Sequence, residues 1–385
     1  MKLDPKAKVL FTNSSLYYTM KIGTHYRCMF QSANHAPGAG YITRPDLFAG
    51  LVKNHIAKHI TSRLDLTFVP QTFRLFQKDE CQAFFKMINA WDTSGGASPS
   101  SSVLLGNEEV MFVKKHLNSK RSLKLTNLDR LRLDKLYKNG TLCGQRVRGA
   151  KTVIQEFVHN QILFEDKFMF KLKAFLFVAS YDPLVAYYHE DGVELKQPDE
   201  MSSTRIKEFK DLMIFLLAKG FINSEQEFNR KIKEQIKSIM RATLALSQDK
   251  LNRDPQFFDI FSFQMVLDSN LKLKLISANQ NPDLKLRNKE TVEKMLGFLF
   301  DLGQHRHAKV RTLMESVAAA HQRTRPIGNS TGSGLEEEQR RRPLASLSAN
   351  VLEKFEEYRR SWPDAISLPT SFEAVWDSRS LPPAQ

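Results

Sequence analysis

Residues 168–184 decide how this chain is read. They run Phe168-Met169-Phe170-Lys171-Leu172-Lys173-Ala174-Phe175-Leu176-Phe177-Val178-Ala179-Ser180, then Tyr181-Asp182-Pro183-Leu184. Apolar and basic residues alternate at the start, which is the period of a β-strand and puts Lys171 and Lys173 on one face. Tyr181-Asp182-Pro183-Leu184 has turn chemistry, and Val185–Tyr188 returns as a second strand. Phe257–Val266 and Leu271–Ser277 predict another strand pair, with Asp268-Ser269-Asn270 as the hairpin turn. Ser224–Gln248 carries Ile232, Ile236, Ile239, Met240 and Leu244 at helical spacing, and Lys289–Leu302 predicts a further helix. Strand hairpins mixed with long helices predict an α+β fold, not a doubly wound parallel sheet.

Further strands are expected at Val103–Leu105, Val110–Val113 and Val153–Val158. Thr93–Ser102 (TSGGASPSSS) predicts a flexible loop, and Arg323–Arg342 a linker followed by a mixed charge block. The most apolar stretch, Ala174 to Tyr188, is interrupted by Asp182 and Pro183, so it predicts core strands and no bilayer span. The opening MKLDPKAK has no apolar run of the signal-peptide kind. The expected setting is cytosolic.

The chain has 385 residues, 27 of them Phe, and a formal net charge of +15. Such an excess predicts an acidic partner: nucleic acid, an anionic membrane or an acidic protein tail. Lys114–Lys151 concentrates it, with 12 Lys/Arg against Asp129 and Asp134. No zinc-finger, RNP or KH pattern accompanies the charge, so nucleic acid is not the expected partner, and neither is a membrane. There is no Walker or Rossmann glycine pattern and no G-x-S-x-G. Cys28, Cys81 and Cys143 are widely spaced with no C-x-x-C, which predicts three unpaired thiols in a reducing compartment. None of the ten histidines has metal-ligand spacing. His35 is expected to be a structural turn residue, with no carboxylate near it to orient a catalytic base.

Several motifs occur in a telling order. Asn34-His35-Ala36-Pro37-Gly38 precedes Ile42-Thr43-Arg44-Pro45-Asp46-Leu47, and Phe68-Val69-Pro70-Gln71-Thr72-Phe73-Arg74-Leu75 follows. Then come Phe112-Val113-Lys114, Val153-Ile154-Gln155-Glu156-Phe157-Val158, the stretch from Lys167 to Leu184, and Met265 to Lys272 with Asn279-Gln280-Asn281-Pro282-Asp283-Leu284. Together these resemble the tubulin–tyrosine-ligase-like family, whose patterns are N-H-F-P-G, L-T-R-K-D-L, Y-P-x-T-F-x-L, I-V-K-P, V-V-Q-x-Y-I, K-F-D-L-R and L-L-E-V-N. Phe355–Arg360 with Leu368-Pro369-Thr370 is weakly similar to a tail of its polyglutamylase-type branch. The resemblance implies an ATP-grasp fold with an N-terminal lobe (1–90), a central lobe (91–158), a C-terminal lobe (159–322) and a linker and tail (323–385). It also implies ATP- and magnesium-dependent ligation of an amino acid to a carboxylate of tubulin.

The residues that would do this chemistry are largely replaced. The acid and arginine of K-F-D-L-R correspond to Lys171 and Lys173, and the Asp, Glu and Asn expected to hold magnesium correspond to Gln264, Ser277 and Asn279. Neutral oxygen and amide donors are poor magnesium ligands. Lys115–Leu125 reads KHLNSKRSLKL, without the glycines that allow backbone to approach phosphate. Lys114, Gln155, Glu156, Phe157 and Val158 remain as a nucleotide-side remnant, and Asn279 as a metal-side one. The expectation is a non-catalytic protein that binds tubulin tails or microtubules through Lys115, Lys120, Arg121, Lys124, Arg146 and Arg148, in the cytoskeleton or a cilium. The alternatives are an active polyglutamylase or glycylase, or a regulatory subunit bound to other ligase-complex or ciliary proteins. ATP and magnesium are the cofactors of any retained activity.

Overall fold

The computed structural model describes residues 9–10, 32–58, 64–93, 112–116, 122–124, 127–140, 143, 152–196, 204–252, 257–280, 282, 373–377 and single positions between 293 and 319. Its strands are β1 (Val9–Leu10), β2 (Ser32–Asn34), β3 (Thr72–Arg74), β4 (Phe112–His116), β5 (Ser122–Lys124), β6 (Thr152–Glu156), β7 (Met169–Tyr181), β8 (Leu184–Lys196), β9 (Thr204–Lys207), β10 (Phe257–Leu267), β11 (Leu273–Asn279) and β12 (Glu373–Asp377). Its longer helices are α1 (Pro45–Lys58), α2 (Lys78–Thr93), α3 (Asn127–Lys138), α4 (Phe209–Ala218) and α5 (Glu234–Ser247). The architecture is α+β, with two largely antiparallel sheets flanked by helices, as the sequence predicts.

The large sheet is built on β10, β7 and β8, side by side and antiparallel. Its two outer edges are each finished by two short strands. Along β10, β2 pairs with Phe257 and Phe258, and β11 with Ser262 to Leu267. Along β8, β12 pairs with Val185 to Tyr188, and β9 with Val193 to Lys196. The tail thus returns to close a sheet edge through Glu373–Asp377, although most of it, including 323–342, lies outside the described residues.

Strand β7 shows why its sequence changes character midway. One face, with Phe170, Leu172, Ala174, Leu176 and Val178, is buried throughout in the main core. The other face carries Lys171 and Lys173 where it is half-open, then Phe175 and Phe177 where it is covered. Phe298 seals that covered end, edge-on to Phe177 and Tyr187 with ring centroids at 5.6 and 5.8 Å. A strand buried on both faces loses its alternation, as Phe175–Ser180 does.

Helix α5 lays Ile236, Ile239, Met240 and Leu244 on the main core. The predicted single helix is interrupted: Glu225–Phe228 is followed by a π-turn at Asn229–Lys233 before α5 begins. Side-chain spacing does not report a change in backbone hydrogen-bond register. The start was legible, since Ser224 caps it by accepting from the Glu227 N–H at 3.2 Å. Val103–Leu105, 110–111 and 94–102 lie outside the described residues, and of the predicted 289–302 helix only isolated helical positions are described. Helices α1, α2 and α4 were not anticipated.

The small sheet runs β3-β6-β4-β5, all antiparallel. Its core is aromatic: Phe84 meets Phe73, Phe85 and Phe112 at 5.2–5.4 Å, and Phe85 stacks on Tyr137 at 4.1 Å. Cys81 and Cys143, separated by 62 residues, are joined by a disulfide against this core. That corrects the reading of three unpaired thiols. Packing brings the two together across α2 and α3, and spacing along the chain carries no trace of it.

The motif 34–38 is built into the large sheet by one buried carboxylate. Asp259, fully buried on β10, accepts from the backbone N–H groups of His35 (3.0 Å) and Ala36 (2.9 Å), the Tyr181 hydroxyl (2.8 Å) and the Gln280 amide (2.9 Å). Burial, and then the neighbouring carboxylate, push the Tyr181 hydroxyl well above its ordinary value and keep it a donor. Gly38 sits at φ +93°, and a Cβ there would collide with the Lys250 carbonyl, so glycine is required. In the next motif Pro45 opens α1 and buried Asp46 lies in its first turn, gripped by the Arg44 guanidinium at 3.2 and 2.9 Å.

Glu80 ties the small sheet to α1. Its carboxylate accepts from the Arg74 N–H at 2.8 Å and the Arg74 guanidinium, and pairs with Lys53 at 2.7 Å. Burial alone would raise its pKa, but the bonds from Arg74 and Lys53 outweigh it and hold the carboxyl below its ordinary value.

Two expectations follow. Asp259→Asn removes the charge and turns an amide N–H toward existing donors. Urea unfolding should show a loss of about 3 kcal/mol or more, against about 1 kcal/mol for Tyr181→Phe. A loss under about 0.5 kcal/mol, the range of an ordinary surface change, contradicts the clamp. A depressed carboxyl stabilises the fold above its unfolded value, and that contribution disappears as pH falls through the folded value. Glu80→Gln should therefore lower stability at neutral pH and flatten the acid limb of a stability–pH profile. An unchanged limb would show that Glu80 carries no such linkage.

Candidate functional site

The open face of the large sheet holds the polar residues that the sequence singles out. Lys173 on β7 pairs across to Gln264 on β10, and Gln264 pairs in turn with Ser277 on β11. Cross-strand pairs share a face, so the three stand in a row. Asn279 lies one pair along, opposite Ser262, itself opposite Phe175. On the other side of β7, Lys171 pairs with Glu194 and Lys173 with Gly192 of β8. Lys171, Lys173, Glu194, Gln264, Ser277 and Asn279 are all half-buried, as groups on the floor of a cleft would be.

The chemistry of this row is neutral and cationic. The Ser277 hydroxyl donates to Gln264 Oε1 at 3.2 Å, so two of the three candidate metal positions satisfy each other. Lys173 Nζ lies 3.3 Å from Glu194 Oε2. Lys171 has a lowered pKa, chiefly from burial, with Glu194 opposing and the neighbouring Lys196 and Lys173 adding to the shift. Among the described residues no group of three or more His, Cys, Asp or Glu is placed to hold a metal ion. Magnesium prefers octahedral coordination by hard, mostly anionic oxygens. The one carboxylate beside the row, Glu194, is held by Lys173, and an amide, a hydroxyl and two ammonium groups do not meet that requirement, so magnesium does not fit this row.

Glu194 was missed by the sequence reading, which closed the second strand at Tyr188. The strand continues to Lys196, and Val193-Glu194-Leu195-Lys196 alternates apolar and charged residues in the strand period. That alternation was the available signal.

The nucleotide-side residues lie on or beside the small sheet. Lys114 pairs with Leu123 and Ile154, in the middle strand of the β6-β4-β5 row. Gln155 is buried, with its amide nitrogen 3.5 Å from Thr72 Oγ1. Glu156 is exposed and exchanges backbone and side-chain hydrogen bonds with Gln71. Phe157 packs against the His159 ring at 5.3 Å, and the Val158 carbonyl accepts from the Gln161 amide at 2.6 Å. Of the basic residues proposed for an acidic partner, Lys115 and Lys124 stand on β4 and β5, while Lys120, Arg121, Arg146 and Arg148 lie outside the described residues.

His35 has the orienting carboxylate that the sequence did not show. Its Nδ1 is 3.5 Å from Asp259 Oδ1, and its Nε2 is 3.0 Å from the Asn34 amide nitrogen. It is nonetheless buried, at φ +68°, with each ring nitrogen facing a polar neighbour. That is the arrangement of a turn residue held in place and not of a base open to substrate.

The sequence profile of the Tubulin-tyrosine ligase family matches residues 21–217 and 197–301. No curated protein matches the chain. The profile spans both sheets, the clamped 34–38 motif and the row from Lys173 to Ser277, well over half of the 385 residues. The motif order, the two-sheet α+β architecture and this match agree: the chain belongs to the tubulin-tyrosine ligase family.

Proposed function

We propose that this chain is a non-catalytic member of the family that binds tubulin or microtubules. The observation that carries this reading is the row Lys173–Gln264–Ser277. Where the family resemblance implies two acids holding a metal, Gln264 and Ser277 hydrogen-bond to each other beside the cationic Lys173, and the acid expected two residues earlier on β7 is Lys171. A ligase that forms an acyl-phosphate needs its triphosphate neutralised and aligned, and this row offers no anionic oxygen to hold the ion that does so. The net charge of +15, concentrated between Lys114 and Lys151, suits the acidic tails of tubulin. The setting is the cytoskeleton, with a cilium or flagellum as a place where a structural microtubule binder would serve. No helix among the described residues is long and apolar enough to cross a membrane.

A second reading rests on Asn279, which keeps the third metal position, and on Lys114, which keeps the lysine of the small sheet. It makes the chain an active polyglutamylase or glycylase, or a regulatory subunit of one.

Incubation with ATP, magnesium, tubulin and labelled glutamate or glycine separates the two. The proposal expects no incorporation above a protein-free control. Incorporation that disappears in Lys114→Ala establishes the second reading. Binding is tested by co-sedimentation with microtubules. The chain should pellet with intact microtubules, release as salt screens the contact, and pellet poorly once the acidic tails are cleaved. Pelleting that ignores tail removal would place the contact elsewhere.

A further inference from the structure

We infer that the open face of β7, β8, β10 and β11 is a polyphosphate site that works without a divalent cation, with Lys171, Lys173 and Lys196 supplying the charge. Lys196 ends β8 opposite Met169, next to the Lys171–Glu194 pair on the same face. The face carries three lysines and one carboxylate: Glu194 stands opposite Lys171, two residues before Lys196, and is held by Lys173 at 3.3 Å. Two positive charges are left in excess. Lys171 makes no direct ion pair or hydrogen bond among the described residues, yet it is largely withdrawn from water, with burial the leading cause of its lowered pKa. A charged group in that position is retained at a cost, which binding of an anion relieves.

The geometry selects a ligand with several charges in a line. Lys171 and Lys173 are two residues apart on one strand, so their Cα atoms are about 7 Å apart. Beside them stands the neutral amide of Gln264, whose oxygen is taken by the Ser277 hydroxyl and whose N–H groups can donate. A single carboxylate could meet only one of these groups, whereas a triphosphate can reach both lysines and the amide. Magnesium should oppose this binding. It withdraws negative charge from the phosphates, and the one carboxylate of this face, Glu194, is already paired with Lys173. The inference stands on the charges of this face and is independent of tubulin binding, which co-sedimentation reads separately.

Isothermal titration of the full-length protein tests it, with ATP, inorganic tripolyphosphate and adenosine in EDTA or in excess magnesium. ATP and tripolyphosphate should bind in EDTA, compete with each other and weaken several-fold when magnesium is added. If tripolyphosphate matches ATP the ligand is inorganic polyphosphate. If ATP is clearly tighter it is a nucleotide. Either result supports the site. Lys171→Met and Lys173→Met, which exchange a half-buried ammonium for an apolar chain, should remain folded. Each should weaken binding about tenfold, the scale of one charge-assisted contact. Lys210→Met, on the exposed surface of α4, should leave it unchanged. Binding that requires magnesium, competition by adenosine equal to that of ATP, equal loss in Lys210→Met, or no binding in EDTA each overturns the inference.

Discussion

The buried carboxylate of Asp259 is the constraint on which the rest of the large sheet depends. A carboxylate taken out of water is tolerated only when donors replace its hydration. Here two backbone N–H groups, a phenol and a carboxamide do so, and they come from three places in the chain. His35 and Ala36 belong to the turn after β2, Tyr181 ends β7, and Gln280 follows β11. One side chain thereby fixes where three strands stop and where the N-terminal motif docks. The register of the open face follows from this anchor. Gln264 is five residues along β10 from Asp259, about 17 Å at strand rise, and its partners Lys173 and Ser277 lie on the strands whose ends Asp259 holds.

The scaffold therefore does not draw on the residues of its open face. The clamp, the capped turn at Asp268 and the Arg44–Asp46 pair use polar groups pointing into the structure. Asp268 accepts from the Asn270 and Lys272 N–H groups at 2.9 and 2.8 Å, which closes the hairpin whatever Gln264 and Ser277 become. The open face is free to change sign because the hydrophobic face of the same strands, with Leu172, Phe263 and Leu275, provides the burial. Two ammonium groups held at the spacing of their Cα atoms, about 7 Å, would repel by about 2 kcal/mol at an effective dielectric of 20. Glu194, opposite Lys171 and ion-paired with Lys173, offsets much of that.

What could be read from the sequence was what lies within one element or one turn. The alternation of Phe168–Lys173 placed its lysines on a common face, and Asp268-Ser269-Asn270 marked the hairpin between β10 and β11. Ser224 marked a helix start, since a cap acts over three residues. The misses are tertiary. Asp259 in a hydrophobic strand looks like an isolated acid until His35, 224 residues earlier, is brought beside it. Cys81 and Cys143 meet only because α2 and α3 pack on one aromatic core. Glu194 was overlooked because the strand was cut short, although its local period was visible. The candidate row itself could be located by motif order. Its chemistry, with Gln264 and Ser277 satisfying each other, needed the pairing register.

On the proposed reading, the glycine-free stretch Lys115–Leu125 and the lysine at 171 on β7 belong together. Glycines let backbone N–H groups close on a phosphate, and a metal ion then fixes the oxygens at ion–ligand distances. Both devices hold the phosphate chain rigidly, which in-line transfer requires, since small misplacements of reacting atoms are costly. Lysine does the opposite: its ammonium is a mobile point charge on a flexible stem, without fixed geometry. A site that exchanges glycine and carboxylate for lysine keeps attraction for phosphate and gives up alignment. Binding energy that falls equally on ground state and transition state does not accelerate a reaction. If the proposed reading holds, a lysine-lined face on this scaffold is suited to holding an anion and unsuited to activating it.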